Sequence, residues 1–296
     1  METLRDVRLR MKAIGQTLQI TKAMNLISTA KLRKGRRVLH DTEPYFSRIQ
    51  KTMFDILSGT KMDRSKFLYS REKVSSSRAA IIVITSDKGL AGGYNTRIFH
   101  KVDRLCAMVD NPVLILIGDI GYKHFINSQW VVMENFSSYT NVPEIEEAKG
   151  IADYVIAQYL WGVFHEVHVV YTHMYSSAKL VPTTRQLLPL NKEKLQEEFK
   201  MLGKKRAEHH FEYWPSKEEV FDTLVPMYVK GVIYGSLVEA HVSEQCARMY
   251  AMDEASKNAE KMLAALRIKY NRARQAGITQ EMTEIASGAE ALSEGR

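Results

Sequence analysis

The sequence has 296 residues, 45% hydrophobic and 26% charged, a soluble balance that excludes disorder of the whole chain and supplies enough apolar material for a sizeable core. Its formal net charge of +8 implies an acidic partner, whether nucleic acid, an anionic membrane surface or a carboxylate-rich protein. No apolar run approaches the roughly eighteen residues of a membrane span, and METLRDVRLRMK carries charges where a signal peptide needs an apolar stretch, so neither a transmembrane segment nor secretion is expected.

From Glu2 to about Leu57, Leu4, Val7, Met11, Ile14 and Leu18 step by three and four in turn, a heptad seam. Ile20, Met24 and Ile27 continue an apolar stripe on a neighbouring face, and Phe46, Ile49, Met53 and Ile56 resume the step. The pattern predicts one long helix of roughly 80 Å, at about 1.5 Å per residue, with Pro44 as the place where it would bend. From Arg78 to about Leu190 the period changes to short β-branched runs between helical patterns. Ala80–Thr85, Val113–Ile117, Trp130–Asn135, Val167–Tyr171 and Leu180–Leu190 read as strands, and Asn95–Val109 and Pro143–Phe164 as helices. This alternation predicts a Rossmann-like α/β sheet domain. From about Ser216 to Leu292 the chain is helical again, with Met252, Ala255, Ala259, Met262, Leu266, Tyr270 and Ala273 on one face, and Ile278, Met282, Ile285, Ala289 and Leu292 repeating the heptad step. Gly231, Gly235 and Gly277 each weaken this helix by about 1 kcal/mol relative to alanine, and Pro226 marks its true start or a kink.

The expected architecture is mixed α/β. Residues 1–60 and 213–292 form a long antiparallel coiled coil, because neither stripe is wide enough to bury itself alone, and residues 75–200 form the α/β domain between them. The C-terminal segment is the longer, so its last turns are expected to project past the partner helix into an external socket.

No constellation of catalytic residues emerges. The loop Ser86-Asp87-Lys88-Gly89-Leu90-Ala91-Gly92-Gly93-Tyr94-Asn95 follows a strand and precedes a helix, where backbone amides can cradle a phosphate. It matches neither GxGxxG nor GxxxxGK[ST], and the simpler reading is a tight strand-to-helix turn with close backbone packing. His209 and His210 are adjacent and cannot face one metal from a regular helix, and Cys106 and Cys246 stand in no CxxC spacing, so no metal, cofactor or disulfide is expected and a reducing compartment fits. Glu144, Glu146 and Glu147 follow the pattern of a helix start. The basic stretch Lys31-Leu32-Arg33-Lys34-Gly35-Arg36-Arg37 lacks aromatic interleaving, which favours solvation or an acidic protein over nucleic acid.

Specific strings then point to a family. Ile20-Thr21-Lys22-Ala23-Met24 with Ala30-Lys31-Leu32, the Ser86–Asn95 loop, Ser243-Glu244-Gln245 with Ala247-Arg248-Met249 and Ala251-Met252, and Tyr270-Asn271-Arg272-Ala273-Arg274-Gln275-Ala276-Gly277-Ile278-Thr279-Gln280-Glu281 resemble, in order and along the whole chain, the gamma subunits of F-type ATP synthases. The resemblance implies a noncatalytic rotor shaft without cofactor. One copy per complex would sit inside a hexamer of alpha and beta subunits, with its foot on an epsilon subunit and the membrane c-ring. The location would be peripheral, on the cytoplasmic side of a bacterial plasma membrane or its matrix-side equivalent.

Residue by residue, the resemblance places Met24 and Lys22 against the acidic lever of a beta subunit, with Lys31, Arg33 and Arg36 extending that contact. It places Arg274 and Gln275 on a beta-subunit loop, with Thr279 and Glu284 adjoining, and Ile278, Met282 and Ile285 in an apolar bearing. Arg248 would support coupling within the coiled coil, and Phe211, Glu212 and Tyr213 would touch the c-ring or epsilon. For Met24, Ile278 and Met282, burial within the helical pair is an equal alternative. An α/β nucleotide-binding enzyme and a basic nucleic-acid scaffold are the rival readings.

Overall fold

The structure, a computed structural model, describes residues 4–58, 65–68, 78–136, 142–191, 193, 195, 197 and 212–294. Phe211, His209 and His210 lie outside the described residues. Two long helices, α1 (Leu4–Ser58) and α5 (Lys217–Glu294), flank the sheet elements in sequence. The chain forms two compact units, Met1–Ile27 with Met249–Arg296, and Ser28–Arg248, so each long helix contributes to both.

In the larger unit a five-stranded sheet has the order β3-β2-β1-β4-β5, from β1 (Arg78–Ile84), β2 (Pro112–Ile117), β3 (Val131–Phe136), β4 (Phe164–Ser176) and β5 (Lys179–Leu188). The first four strands run parallel and β5 pairs antiparallel with β4. β1 and β2 are continuous apolar runs because both of their faces are covered. On α2 (Tyr94–Cys106), Tyr94, Ile98, Val102 and Cys106 recur every fourth residue and bury one helical face. α4 (Ile145–Leu160) starts with a capping box in which the Glu144 N–H donates to Glu147 Oε2 at 2.7 Å, the helix-start role expected of these acids.

Three sheet details differ from the sequence reading. α4 ends at Leu160 and not at Phe164, because Gly162 adopts φ +81° and turns the chain into β4. β4 extends to Ser176, well past Tyr171, because its hairpin with β5 supplies partners to the far end. A short helix, α3 (Asp119–Phe125), was not anticipated: seven residues are too few to display a helical period.

α1 runs through Pro44, and α5 through Pro226 and its glycines, without interruption. Tertiary burial compensates in the larger unit, where Phe46 of α1 packs on Tyr234 of α5 with ring centroids 6.2 Å apart. Gly231 there serves packing: a Cβ would lie 2.2 Å from Phe46 Cδ1. Gly35 likewise faces Val242, whose Cγ2 would be 2.7 Å from an added Cβ. Gly235, by contrast, has open space. Gly231→Ala is therefore expected to destabilise the protein by about 1–3 kcal/mol through overpacking, whereas Gly235→Ala should stabilise it by about 0.4–1 kcal/mol through lost unfolded-state freedom. Urea unfolding midpoints of the two variants should move in opposite directions.

In the smaller unit the helices run antiparallel. Asn25 Nδ2 donates to the Met249 carbonyl at 3.0 Å, Ser256 Oγ donates to Thr21 Oγ1 at 2.8 Å, and Lys22 pairs with Glu260 at 2.6 Å. The heptad step continues from Leu18 through Thr21 and Asn25, so Ile20 and Ile27 point outward, 59% and 56% exposed. On α5 the step from Met252 selects Ser256, Ala259, Leu263 and Leu266, which leaves Met262, expected in the seam, exposed. Apolarity alone misreads this seam because two of its positions are hydroxyls that satisfy each other.

Candidate partner-binding surfaces

In a doubly wound sheet of this order, ligands settle at the carboxyl ends of the strands where the strand order reverses, here between β1 and β4. The Ser86–Asn95 loop leaves β1 at that point. Its ends are stitched together: the Ser86 N–H donates to Asn95 Oδ1 at 3.1 Å, and Asn95 Nδ2 donates to Ser86 Oγ at 2.7 Å. Leu90 and Gly92 take the left-handed conformation, with φ of 64° and 59°.

The loop turns carbonyls, not N–H groups, toward its neighbour. Arg248 Nη2 donates to the Lys88 carbonyl at 2.8 Å and to the Gly89 carbonyl at 3.2 Å, while Nη1 pairs with Glu244 at 2.6 Å. A phosphate would need the opposite polarity. Tyr94 Oη donates to the Ala240 carbonyl at 3.1 Å, and Ser243 Oγ donates to the Thr172 carbonyl at 2.8 Å, so α5 occupies the crevice itself. What remains is a cavity of about 30 Å³ lined by Thr85, Asp87, Tyr94, His241 and Glu244, room for a water or two. The expected close packing at the loop's glycines is not its basis, since a Cβ at Gly89 or Gly93 would meet open space. Arg248, for which the resemblance implied coupling support within the coiled coil, makes these contacts with the loop of the sheet.

Burial governs the charges of this crevice. It pushes the Tyr94 hydroxyl far above its ordinary range and the Glu244 carboxyl up, Arg248 opposing the second shift. His241 is lowered from 6.5 to about 4, first by burial and then by Lys31 and Arg248. Above pH 6.5 the imidazole is neutral whether the chain is folded or not. As pH falls from 6.5 toward 4, the unfolded chain takes up a proton that the fold refuses, and stability drops by up to about 3 kcal/mol. A His241→Gln variant should lose less stability than the parent across that window in denaturant titrations at stepped pH, and equal losses would remove His241 as the source.

The other residues singled out from sequence lie mainly on exposed helix faces. Lys22 is committed to Glu260, a surface pair worth about 0.2–1 kcal/mol. Met24 and Lys31 are half-buried and Arg33 is exposed. Arg36 Nη2 donates to Ser177 Oγ at 3.1 Å, in the β4–β5 turn. Arg274 and Gln275 are exposed, and Thr279 Oγ1 donates back to the Gln275 carbonyl at 2.9 Å. Gln280 Nε2 donates to Glu284 at 3.0 Å. Ile278, Met282 and Ile285 are 50%, 67% and 72% exposed, so the helical pair does not bury them. Glu212 is exposed, and Tyr213 is half-buried, its hydroxyl raised by burial and by Asp55.

Residues 3–292 match the ATP synthase family. The chain is 40% identical over 294 residues to the ATP synthase gamma chain of Acetivibrio thermocellus, covering 99% of this chain and all of that one. It is 35% identical over 302 residues to the sodium ion specific ATP synthase gamma chain of Acetobacterium woodii, covering 98% and 99%. The chain belongs to the ATP synthase gamma chain family. Its fold is shared with a chain of the Euglena gracilis mitochondrial ATP synthase (OSCP/F1/c-ring, rotational state 3), with a TM-score of 0.66 at 16% identity over 99% of this chain and 95% of that one. As a member of the family it is a central-stalk subunit of the F-type ATP synthase, not its catalytic subunit. Among the described residues no helix is long and apolar enough to cross a membrane.

Sequence reasoning missed two groups. The first is Leu26 and the outward orientation of the apolar stripe that Ile20 and Ile27 mark on α1, which extending the three-four step through Thr21 would have revealed. The second is the set Ser86, Tyr94, Asn95 and Glu244, whose partners lie in other elements or across the loop; the loop motif marked three of them without their roles.

Proposed function

We propose that this chain is the rotor shaft of an F-type ATP synthase, coupling ion flow through a membrane c-ring to ATP synthesis in an alpha–beta hexamer, or hydrolysis there to ion pumping. The supporting observation is the solitary end of α5. Every residue from Ile278 to Ala289 is exposed, yet Ile278, Met282 and Ile285 repeat an apolar step that makes physical sense only inside a socket.

An asymmetric shaft offers each catalytic neighbour a different face and biases each toward a different conformation, so turning it exchanges those states in order. In this reading Arg274 and Gln275, with Thr279 and Glu284 beside them, engage a beta-subunit loop, where a planar guanidinium suits a carboxylate. Ile278, Met282 and Ile285 ride in the bearing. Met24, Lys22, Lys31, Arg33 and Arg36 meet the acidic lever of a beta subunit. Arg248 serves coupling by holding α5 to the sheet. Phe211, Glu212 and Tyr213 meet the c-ring or an epsilon subunit. The complex would lie on the cytoplasmic side of a bacterial plasma membrane, or on the equivalent matrix side.

Reconstitution with separate alpha and beta subunits tests the proposal. Native mass spectrometry should find one copy of this chain per hexamer, and several copies per hexamer would sink the shaft.

A further inference from the structure

The crevice between α5 and the sheet contains a polar atom that the fold does not satisfy. His241 is 6% exposed, and its Nε2 has no hydrogen-bond partner among the described residues. Such atoms are rare in folded proteins, because a buried polar group without a partner gives up its hydration and receives nothing in exchange. Neighbouring donors are committed elsewhere. Tyr94 Oη and Ser243 Oγ donate to the carbonyls of Ala240 and Thr172, and Arg248 serves Glu244 and two carbonyls of the Ser86–Asn95 loop.

The imidazole borders open space. His241 lines the cavity of about 30 Å³ together with Asp87, Tyr94 and Glu244, while Ile84, Ile117 and Leu237 make apolar walls that offer it no hydrogen bond. From α1 it meets Gly35, which has no side chain to give: an added Cβ would lie 3.6 Å from His241 Cδ2. A partner for Nε2 must therefore come from inside the cavity.

Size and charge decide what that partner is. A space of this size admits one or two waters. Asp87 and Glu244 bring negative charge, and Arg248 and Lys31 offset it, Lys31 being near enough to act on both His241 and Glu244. A cation or an anion entering this balanced crevice would leave an uncompensated charge inside the fold. Water is neutral, and it can donate to Nε2 or accept from it, so it suits either tautomer of the ring. Glu244 is already engaged by Arg248 at 2.6 Å, which leaves Asp87 as the acceptor at the other end.

We propose that this crevice is a binding site for internal water, in which a water molecule bridges His241 Nε2 on α5 to the Asp87 carboxylate in the loop after β1. The bridge is a second link between α5 and that loop, beside the one made by Arg248. It does not depend on which complex the chain joins.

Oxygen-17 relaxation dispersion of the isolated full chain counts its long-lived internal waters. The parent should hold one or two more than His241→Phe, whose ring fills similar space without the nitrogen, and more than Asp87→Ala. His241→Gln, which keeps a donor and an acceptor, should retain them. Above pH 6.5, where the imidazole is neutral, the urea midpoint of His241→Phe should fall below that of the parent, because the bridge is lost. A dry cavity requires the opposite sign: removing an unsatisfied nitrogen would raise the midpoint, and that result overturns the site. A lower midpoint with an unchanged water count would assign the loss to packing and overturn it too. Retention of the full count in Asp87→Ala would overturn the bridge. Saturable stabilisation of the parent by sodium ion or inorganic phosphate, absent from His241→Phe, would show an ion in place of water, and the proposal would be wrong.

Discussion

Truncation of α5 before Ile278 is expected to leave the stability of the remaining chain within about 0.5 kcal/mol of its original value, because the residues from Ile278 to Ala289 are all exposed. The same truncation should raise the dissociation constant from an alpha–beta hexamer about a hundredfold or more. Burying an Ile or Met side chain contributes about 1.5–3 kcal/mol, and three of them, at about 4.5–9 kcal/mol together, exceed the roughly 2.7 kcal/mol that a hundredfold requires. ATP hydrolysis at the partner's own sites should persist while synthesis coupled to ion flow falls. Calorimetry of the isolated chain, paired with surface-immobilised hexamer binding, reads both effects. Equal affinity with and without the tail would show that Ile278, Met282 and Ile285 have no socket.

The largest expected stability effect lies in the crevice. Arg248→Ala removes a guanidinium that pairs with Glu244 at 2.6 Å and caps two carbonyls of the Ser86–Asn95 loop, and it leaves Glu244 inside the fold without its countercharge. Losses of about 3–5 kcal/mol follow when one member of a buried pair is removed. The double variant Glu244→Gln/Arg248→Met should cost clearly less, because no unpaired charge remains. Denaturant unfolding of both variants, with amide exchange followed at Gly89 to Gly93, tests the assignment. A loss below about 1 kcal/mol in Arg248→Ala, with unaltered exchange in the loop, would show that Arg248 does not dock α5 to the sheet.

These two sites differ in how far they could be read without a structure. The tail was legible because its information is local: Ile278, Met282 and Ile285 repeat at helical spacing, and a helix longer than its partner must end alone. The crevice was not. Its glycine-rich loop has a composition that suits a phosphate cradle as well as the tight turn preferred from sequence, and the contact that turns its carbonyls inward is with a guanidinium 159 residues away along the chain. Composition describes what a loop can do, whereas the direction of its carbonyls depends on what packs against it.

The coiled coil shows the same boundary within one element. Periodicity by itself determined that both ends of the chain are long helices and that a mixed α/β domain lies between them, and short motif strings carried the resemblance to the gamma chains; each of these rests on residues close together in sequence. Only the tertiary structure decided that Thr21 and Ser256 belong in the seam while Ile20 and Ile27 face outward, and that Gly231 makes room for Phe46 where it had been counted as a weak point of the helix. It also decided that the chain divides near Ile27 and Arg248, inside both long helices. The physical reason is common to all of these. A helix is specified by neighbours three and four residues apart, but the burial of a hydroxyl, a glycine or an arginine is decided by a partner surface that no local window of the chain contains.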